Sequence, residues 1–444
     1  MNEERYVAAI EISSSKIMVA VGKLRPNNQL DVIACEQDKG VEGVRYGVIQ
    51  NPEDTSMRIQ HLLAKIQRRN SVAPREIVGV YVGLSGRSLR SLTIEVSRNL
   101  PEDTEITSEI IAGLRAQALE TAIDNSLEVV DAIPRVFRVG KNDTTSPKGM
   151  IGNSIKGTYD LIVCRPEIKR NLVRTLHDKL GLKINGAMVT ALCTGQLVAR
   201  PEEKRLGCML VDMGAETTTV TIYRSGHLRY FATLPLGGRN ITRDITSLHV
   251  LEDRAEDLKT TSGDAISRDA VSSLNINGLK MTDVSNLVVA RSEEIVANIV
   301  EQISYAGLQD KDLPGGIICI GGGSQLRGML ELLGNKSKLT VRRGSLPSFI
   351  RIEDTKAPSF EIIELASVLY TGATNNNAEC LTIPVRETLP PTGVPHVDEP
   401  VYEEPAPRVK EKKKKSGPSK WSKFGTKISS FFTGVDDEDD DIIE

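Results

Sequence analysis

AIEISSSK (residues 9–16) and VDMGAETTTV (residues 211–220) decide the fold. Each is an apolar run that ends on a carboxylate (Glu11 or Asp212), passes through small or hydroxyl residues and starts a second apolar run. The pattern predicts strands at 6–12 and 17–24 around the turn Ser13, Ser14, Ser15 and Lys16. It predicts a second such pair from GCMLVDMG (207–214) and TTTVTIYRSG (217–226). A tight hairpin turn aims successive backbone N–H groups at one point and so makes an anion cradle. Small side chains let an anion come close, and Lys16 adds charge. A carboxylate just before the turn suits Mg²⁺ held through water, since that ion dehydrates reluctantly. One such hairpin is most often plain structure. Two in one chain indicate an internal duplication, with two similar lobes facing each other.

Between and around these hairpins the chain alternates strand and helix. A third strand is expected at 30–36 and a helix at 53–69, with Met57, Ile59, Leu62, Leu63 and Ile66 as its apolar positions. A buried strand is expected at 76–84. Residues 86–158 carry strand, helix and strand signals of their own, the helix (107–123) opening on Thr107-Ser108-Glu109. Then follow a strand at 158–164, a helix at 166–180 that begins on Pro166, and a strand running into a helix over 183–199. GIICIGGGSQLRGM (316–329) reads as strand, glycine turn and helix start. Gly321, Gly322 and Gly323 let backbone lie against a flat ligand or turn sharply. The spacing is not GxGxxG, and no acidic residue follows about 20 positions on, so a dinucleotide fingerprint is excluded. In AEDLKTTSGDA (255–265), Glu256 and Lys259 share a helix face. Such a pair is ordinarily a surface ion pair and matters only if its helix borders a cleft.

Composition narrows the class. The 444 residues are 39% hydrophobic and 26% charged, enough for two or three cores. A net charge of -3 excludes a basic nucleic-acid footprint for the whole molecule. Cys35, Cys164, Cys193, Cys208, Cys319 and Cys380 show no CxxC pair and read as buried, reduced thiols, as in a cytosol. The histidines have no metal-binding spacing. MNEERYVAAIEI has neither the basic nor the long apolar part of a signal peptide. No stretch approaches the roughly 18 apolar residues of a spanning helix.

Composition shifts near residue 384. Prolines 384, 390, 391, 395, 400, 405, 407 and 418 mark a linker with a coil reach of ~30–35 Å. KWSKFGTKISSFFT (420–433) follows it. At about 100° per residue, Trp421, Phe424, Ile428, Phe431 and Phe432 share a narrow arc, with Lys420, Lys423 and Lys427 on its edge. Aromatics on one helix face bordered by lysines suit a bilayer interface, and KEKKKK (410–415) suits an anionic one. VDDEDDDIIE (435–444) would be repelled by anionic lipid and either tunes binding or serves a partner.

In order, AIEISSSK, VDMGAETTTV, LPLGGRNITRDI (234–245), AEDLK and ICIGGGSQLRG (318–328) resemble the actin, Hsp70 and sugar-kinase superfamily. In detail the chain resembles FtsA, the actin homologue of bacterial cell division. GVEGVRYGVIQNPED (40–54) and YVGLSGRSLRS (81–91) match that pattern.

The resemblance implies an α/β, actin-like two-lobed fold with duplicated ribonuclease-H-like subdomains. Subdomain 1A would take 1–85 and 159–206, and subdomain 1C 86–158. Subdomain 2A would take 207–240 and 313–385, and subdomain 2B 241–312. The linker would follow at 386–419, the amphipathic helix at 420–433 and the acidic tail at 434–444. The implied cofactors are ATP and Mg²⁺. Ser13, Ser14, Ser15, Lys16, Asp212, Gly214, Thr217, Thr218, Gly237 and Gly238 would face the phosphates, with Glu11 and Asp212 holding Mg²⁺ through water. Glu256, Lys259, Gly321, Gly322, Gly323 and Gln325 would face the adenosine. The implied partners are the C-terminal peptide of FtsZ on subdomain 2B, further copies in filaments, an anionic membrane surface, and downstream division proteins on subdomain 1C. The implied location is the cytoplasmic face of the inner membrane at the septum.

The family pattern has Gly where this chain has Ser13, and Gly-Gly where it has Ala215-Glu216. A carboxylate at 216 is expected to repel phosphate unless it turns away or helps to hold Mg²⁺. With no defensible catalytic base in view, turnover is expected to be slow at most. A type IV pilus platform protein of the PilM kind and a sugar or acid kinase are the alternatives. The tail and the lack of a sugar pocket separate them.

Overall fold

A computed structural model describes residues 4–267, 275, 276, 279–353, 357–375 and 377–384. The linker, the helix expected at 420–433 with its aromatic and lysine positions, and the acidic run lie outside the described residues.

Both hairpins form. Arg5–Ile12 pairs antiparallel with Lys16–Leu24, closing on Ile12 opposite Ile17. Cys208–Met213 pairs with Thr218–Arg224, closing on Met213 opposite Thr218. Each hairpin seeds a sheet of the same plan. In the first, the order is Leu30–Lys39, Lys16–Leu24, Arg5–Ile12, Gly79–Leu84, Lys183–Val189. The first two pairings are antiparallel and the last two parallel. In the second, His227–Leu234, Thr218–Arg224, Cys208–Met213, Ile317–Ile320 and Val341–Arg343 repeat that order and those directions. The duplication read from two turns is therefore a duplication of whole sheets. Ile350–Ile352 comes back from the far end of the chain to add a parallel edge strand beside Leu30. The helix Ser359–Asn375 then packs on the first sheet.

Helices cover the sheets for reasons visible in their residues. Asn51 caps Pro52–Gln67 by accepting from Glu53 N and Asp54 N, and Pro52 takes the first turn. Ile59, Leu62 and Ile66 are fully buried, each contributing about 1.5–3 kcal/mol. Met57 is 55% exposed instead of buried, because it lies about 200° around the helix from Ile59. The helix expected at 166–180 is α-helical over Pro166–Val173 and widens into a π-turn at Arg174–Lys179.

Residues between the fourth and fifth strands of the first sheet form an inserted unit. Its strands Arg90–Glu105, Glu128–Val139 and Ile151–Cys164 build a sheet under the helix Ser108–Leu119. Leu114, Phe137, Ile155 and Tyr159 form its core, with the Phe137 and Tyr159 rings edge-on at 5.9 Å. Buried Arg115 donates to Asp131 at 2.5 Å. The boundary expected at 158/159 falls inside the continuous strand Ile151–Cys164. Gly157 lies in mid-strand at a close approach, where a Cβ would meet Leu114 Cδ2 at 2.9 Å. The insert joins the second sheet through Ala232 opposite Arg90 and through Arg135 Nη2 donating to Arg229 O at 3.0 Å. Among the described residues no helix is long and apolar enough to cross a membrane. All six cysteines are buried, as expected.

Candidate functional site

The two hairpin turns are superposable in their bonding. Ser13 N donates to Lys16 O at 3.0 Å, and Gly214 N to Thr217 O at 2.8 Å. Both turns face one cavity of about 1020 Å³ between the two lobes, the size of a small-molecule site. Ser13, Ser14, Ser15 and Lys16 line it from one side, and Asp212, Gly214, Thr217, Thr218, Gly237 and Gly238 from the other. Lys16 Nζ donates to Glu361 O at 2.6 Å, which holds the ammonium at the cavity wall. Ser14 Oγ accepts from Gly47 N at 2.8 Å, and Thr218 Oγ1 donates to Leu236 O at 2.8 Å. These two hydroxyls brace the turns.

Glu11 lies behind the wall, 4% exposed, with neither carboxyl oxygen partnered by a described donor; Asp212 Oδ1 is likewise buried and without one. Glu364, from the helix Ser359–Asn375, completes a carboxyl cluster with them. Burial, then the charge of Glu364, pushes Glu11 up to about 8. Burial and Asp212 push Glu364 well above the usual carboxylate range. Orphaned buried carboxyl oxygens beside an anion cradle fit a cation. Among the described residues no three His, Cys, Asp or Glu side chains are grouped to ligate a metal, so Mg²⁺ here would keep much of its water.

Glu216 meets the exception allowed for it and turns away. It is 1% exposed and turned into a set of donors: Arg45 Nε at 2.9 Å, Tyr46 N at 2.7 Å, Arg243 Nη2 at 2.7 Å and Arg239 Nη1 at 3.4 Å. Burial opposes its charge, but the Tyr46 N–H, Arg45 and Arg239 outweigh that and hold its pKa below the ordinary value.

On the opposite wall, the helix Glu252–Ser262 borders the cleft, so the pair on it gains meaning. Lys259 Nζ reaches Glu256 Oε2 at 2.6 Å and Thr242 Oγ1 at 3.0 Å, with its pKa lowered by burial. Gly321, Gly322, Gly323 and Gln325 line the same wall. Gly321 has φ +81°, and a Cβ there would lie 2.5 Å from Asp212 Oδ1. The glycine turn and the second hairpin are thus in backbone contact. All the site residues read from the sequence as facing nucleotide line this cleft; Glu11 stands just behind it. Sequence reasoning missed Glu361, Glu364, Arg45, Arg239 and Arg243. The local signal for Glu364 is a carboxylate within the otherwise apolar IIELASVL (362–369).

Two copies of one sheet enclosing a cleft with a hairpin turn from each define an actin-like two-lobed protein. The PilM–PilN type IV pilus biogenesis complex shares this fold, with TM-score 0.57 and 16% identity, covering 83% of this chain and 98% of that one. Sequence comparison is more specific. The family described as "Cell division protein FtsA" matches residues 209–362, and the "SHS2 domain inserted in FTSA" matches 86–163. Cell division protein FtsA of Porphyromonas gingivalis is 28% identical over 367 residues, covering 80% of this chain and 75% of that protein. That of Bacillus subtilis is also 28% identical, covering 80% and 81%. The chain belongs to the FtsA family of cell-division proteins.

Proposed function

We propose that this chain binds Mg-ATP in the cleft as an assembly switch, polymerises as actin-like filaments, and tethers FtsZ polymers to the cytoplasmic face of the membrane at the septum. The observation that carries the nucleotide reading is the convergence of both hairpin turns and the glycine turn on one cavity, beside buried carboxyl oxygens that lack partners. In this reading the Ser13–Lys16 and Gly214–Thr218 turns cradle phosphate. Glu11 and Asp212 hold hydrated Mg²⁺, and Glu256, Lys259 and the glycines take the adenosine. Turnover is slow, because the cleft's carboxylates are committed to a cation or to arginines. Residues 420–433 dock on anionic lipid, the FtsZ peptide docks on 241–312, and the inserted unit contacts later division proteins.

Arg291 is a poor probe of the peptide surface, since Asp244 holds it at 2.6 and 2.9 Å. Charge reversal at the exposed Arg254 and Lys280 tests that surface more cleanly. The deciding experiment for the cleft is calorimetry with Mg-ATP. Wild type should bind, and Asp212→Ala should bind at least about tenfold more weakly, which is about 1.4 kcal/mol. A folded, monodisperse wild type that releases no heat with Mg-ATP over a wide concentration range overturns it.

A further inference from the structure

After the first sheet the chain makes a small hairpin, Val44–Arg45 with Val48–Ile49, whose tip reaches the second lobe. Arg45 Nε and Tyr46 N both donate to Glu216, at 2.9 and 2.7 Å. The other donors to that carboxylate, Arg239 and Arg243, come from the second lobe's own helix, Gly238–Thr246. One carboxylate, 1% exposed, is thus held from both sides of the cleft. Parting the lobes breaks the two contacts from Arg45 and Tyr46 and leaves this buried charge to Arg239 and Arg243 alone, which opposes the opening.

The same tip is anchored twice more. Gly47 N donates to Ser14 Oγ in the first turn, and Arg87 N donates to Tyr46 O at 3.1 Å. The Arg87 guanidinium stands 5.0 Å from the Tyr46 ring centre. Tyr46 and Gly47 have φ of 50° and 75°, a left-handed pair that leaves little freedom to drift. Three consecutive residues therefore touch both anion-facing turns and the root of the inserted sheet.

We propose that Glu216 is the pin of a cross-cleft clasp: the Arg45–Gly47 tip must leave it before the lobes part to exchange nucleotide, and that movement is passed through Arg87 to the inserted unit. This rests on the nucleotide reading of the cleft. Glu216, and Glu252 at 3.7 Å from Arg239, face three guanidiniums, so the cluster keeps one net positive charge at the phosphate end. A terminal phosphate there reinforces the closed arrangement, and its loss relaxes it.

The test uses the full chain, with Glu216→Ala and Arg45→Met. The second variant leaves Glu216 paired with Arg239 and Arg243, and it carries both readouts if the first fails to fold. Release of a fluorescent methylanthraniloyl-ATP analogue is followed by stopped flow. Amide hydrogen exchange at Tyr46, Gly47 and Arg87 is followed without nucleotide. Release should accelerate at least about tenfold in each variant, and the three amides should exchange at least about tenfold faster. Unchanged release from a chain that binds the analogue overturns the clasp. A wild type that binds no analogue overturns the reading of the cleft instead, and the amide exchange then decides the clasp alone: unchanged protection in the variants refutes it.

Discussion

Gly321 and Gly322 are neighbours with opposite expectations under substitution by alanine. At Gly321 a Cβ would stand 2.5 Å from Asp212 Oδ1, 2.5 Å from Met213 O and 2.8 Å from Met213 C. Two of these atoms are backbone of the second hairpin, so no side-chain rotation relieves the overlap. The φ of +81° with a ψ of 161° is a conformation open essentially only to glycine, and it adds about 1–3 kcal/mol for a residue with a Cβ. Displacement of packed atoms adds about 1–3 kcal/mol. Gly321→Ala should therefore lose about 2–6 kcal/mol. Because the strain lands on Asp212, it should also weaken Mg-ATP binding by more than tenfold. At Gly322 a Cβ would meet nothing within 4 Å and φ is unexceptional, so Gly322→Ala should stay within about 0.5 kcal/mol. Urea denaturation and calorimetry on the two variants measure both effects. Equal losses for the pair, or a loss below about 0.5 kcal/mol at Gly321, would refute the claim that these two turns are locked against each other.

Three other outcomes are expected. Arg115→Met strips the buried Asp131, which burial already pushes up to about 6 against the pull of Arg115, and should cost about 3–5 kcal/mol; adding Asp131→Asn should recover part of it, and denaturation of the three variants checks this. Glu216 titrates below its ordinary value in the folded chain, so its contribution is present above about pH 4.5 and is lost as pH falls through the depressed value; Glu216→Gln should flatten the acid limb of stability against pH, as read from urea midpoints between about pH 6 and 3. Trp421→Glu with Phe431→Glu should stop flotation with anionic vesicles while leaving Mg-ATP binding unchanged; a double variant that floats as well as wild type removes the tail from the tethering reading.

What the sequence discloses follows the range of the interactions. The hairpin at Ser13–Lys16 and its counterpart at Gly214–Thr217 are legible because strand, turn and carboxylate lie within a dozen residues. Their equivalence needs no knowledge of the rest of the chain. Glu256 and Lys259 are legible as a helical pair, but only the packing of Glu252–Ser262 against the cleft gives the pair a use. Glu364 is legible only as an odd carboxylate in an apolar run; its place is not, because it reaches Asp212 from about 150 residues away through a helix whose sequence reads as core. Glu216 is legible as a question whose answer is not local. A carboxylate in a phosphate-facing turn looks repulsive until Arg45, 171 positions earlier, is seen beside it. The strand expected at 158–164 is longer in the structure, Ile151–Cys164, because its first half pairs inside the inserted unit with residues distant in sequence.

The returning strand Ile350–Ile352 and the helix Ser359–Asn375 bear on how the protein is made. The first sheet receives its fifth strand from residues 183–189 and its outer strand from residues 350–352. Gly22, Leu30 and Tyr81 pack against Leu369 or Gly372 of the last described helix or beside them. On a ribosome the first strands to emerge are thus among the last to be completed. At about 5–20 residues per second, the Leu30–Val32 edge waits roughly 15–65 seconds for its partner strand. Such an edge is a template for wrong pairing, so the N-terminal lobe is where nascent chains should depend on chaperones. The second sheet, drawn from residues 208–343, closes without that delay.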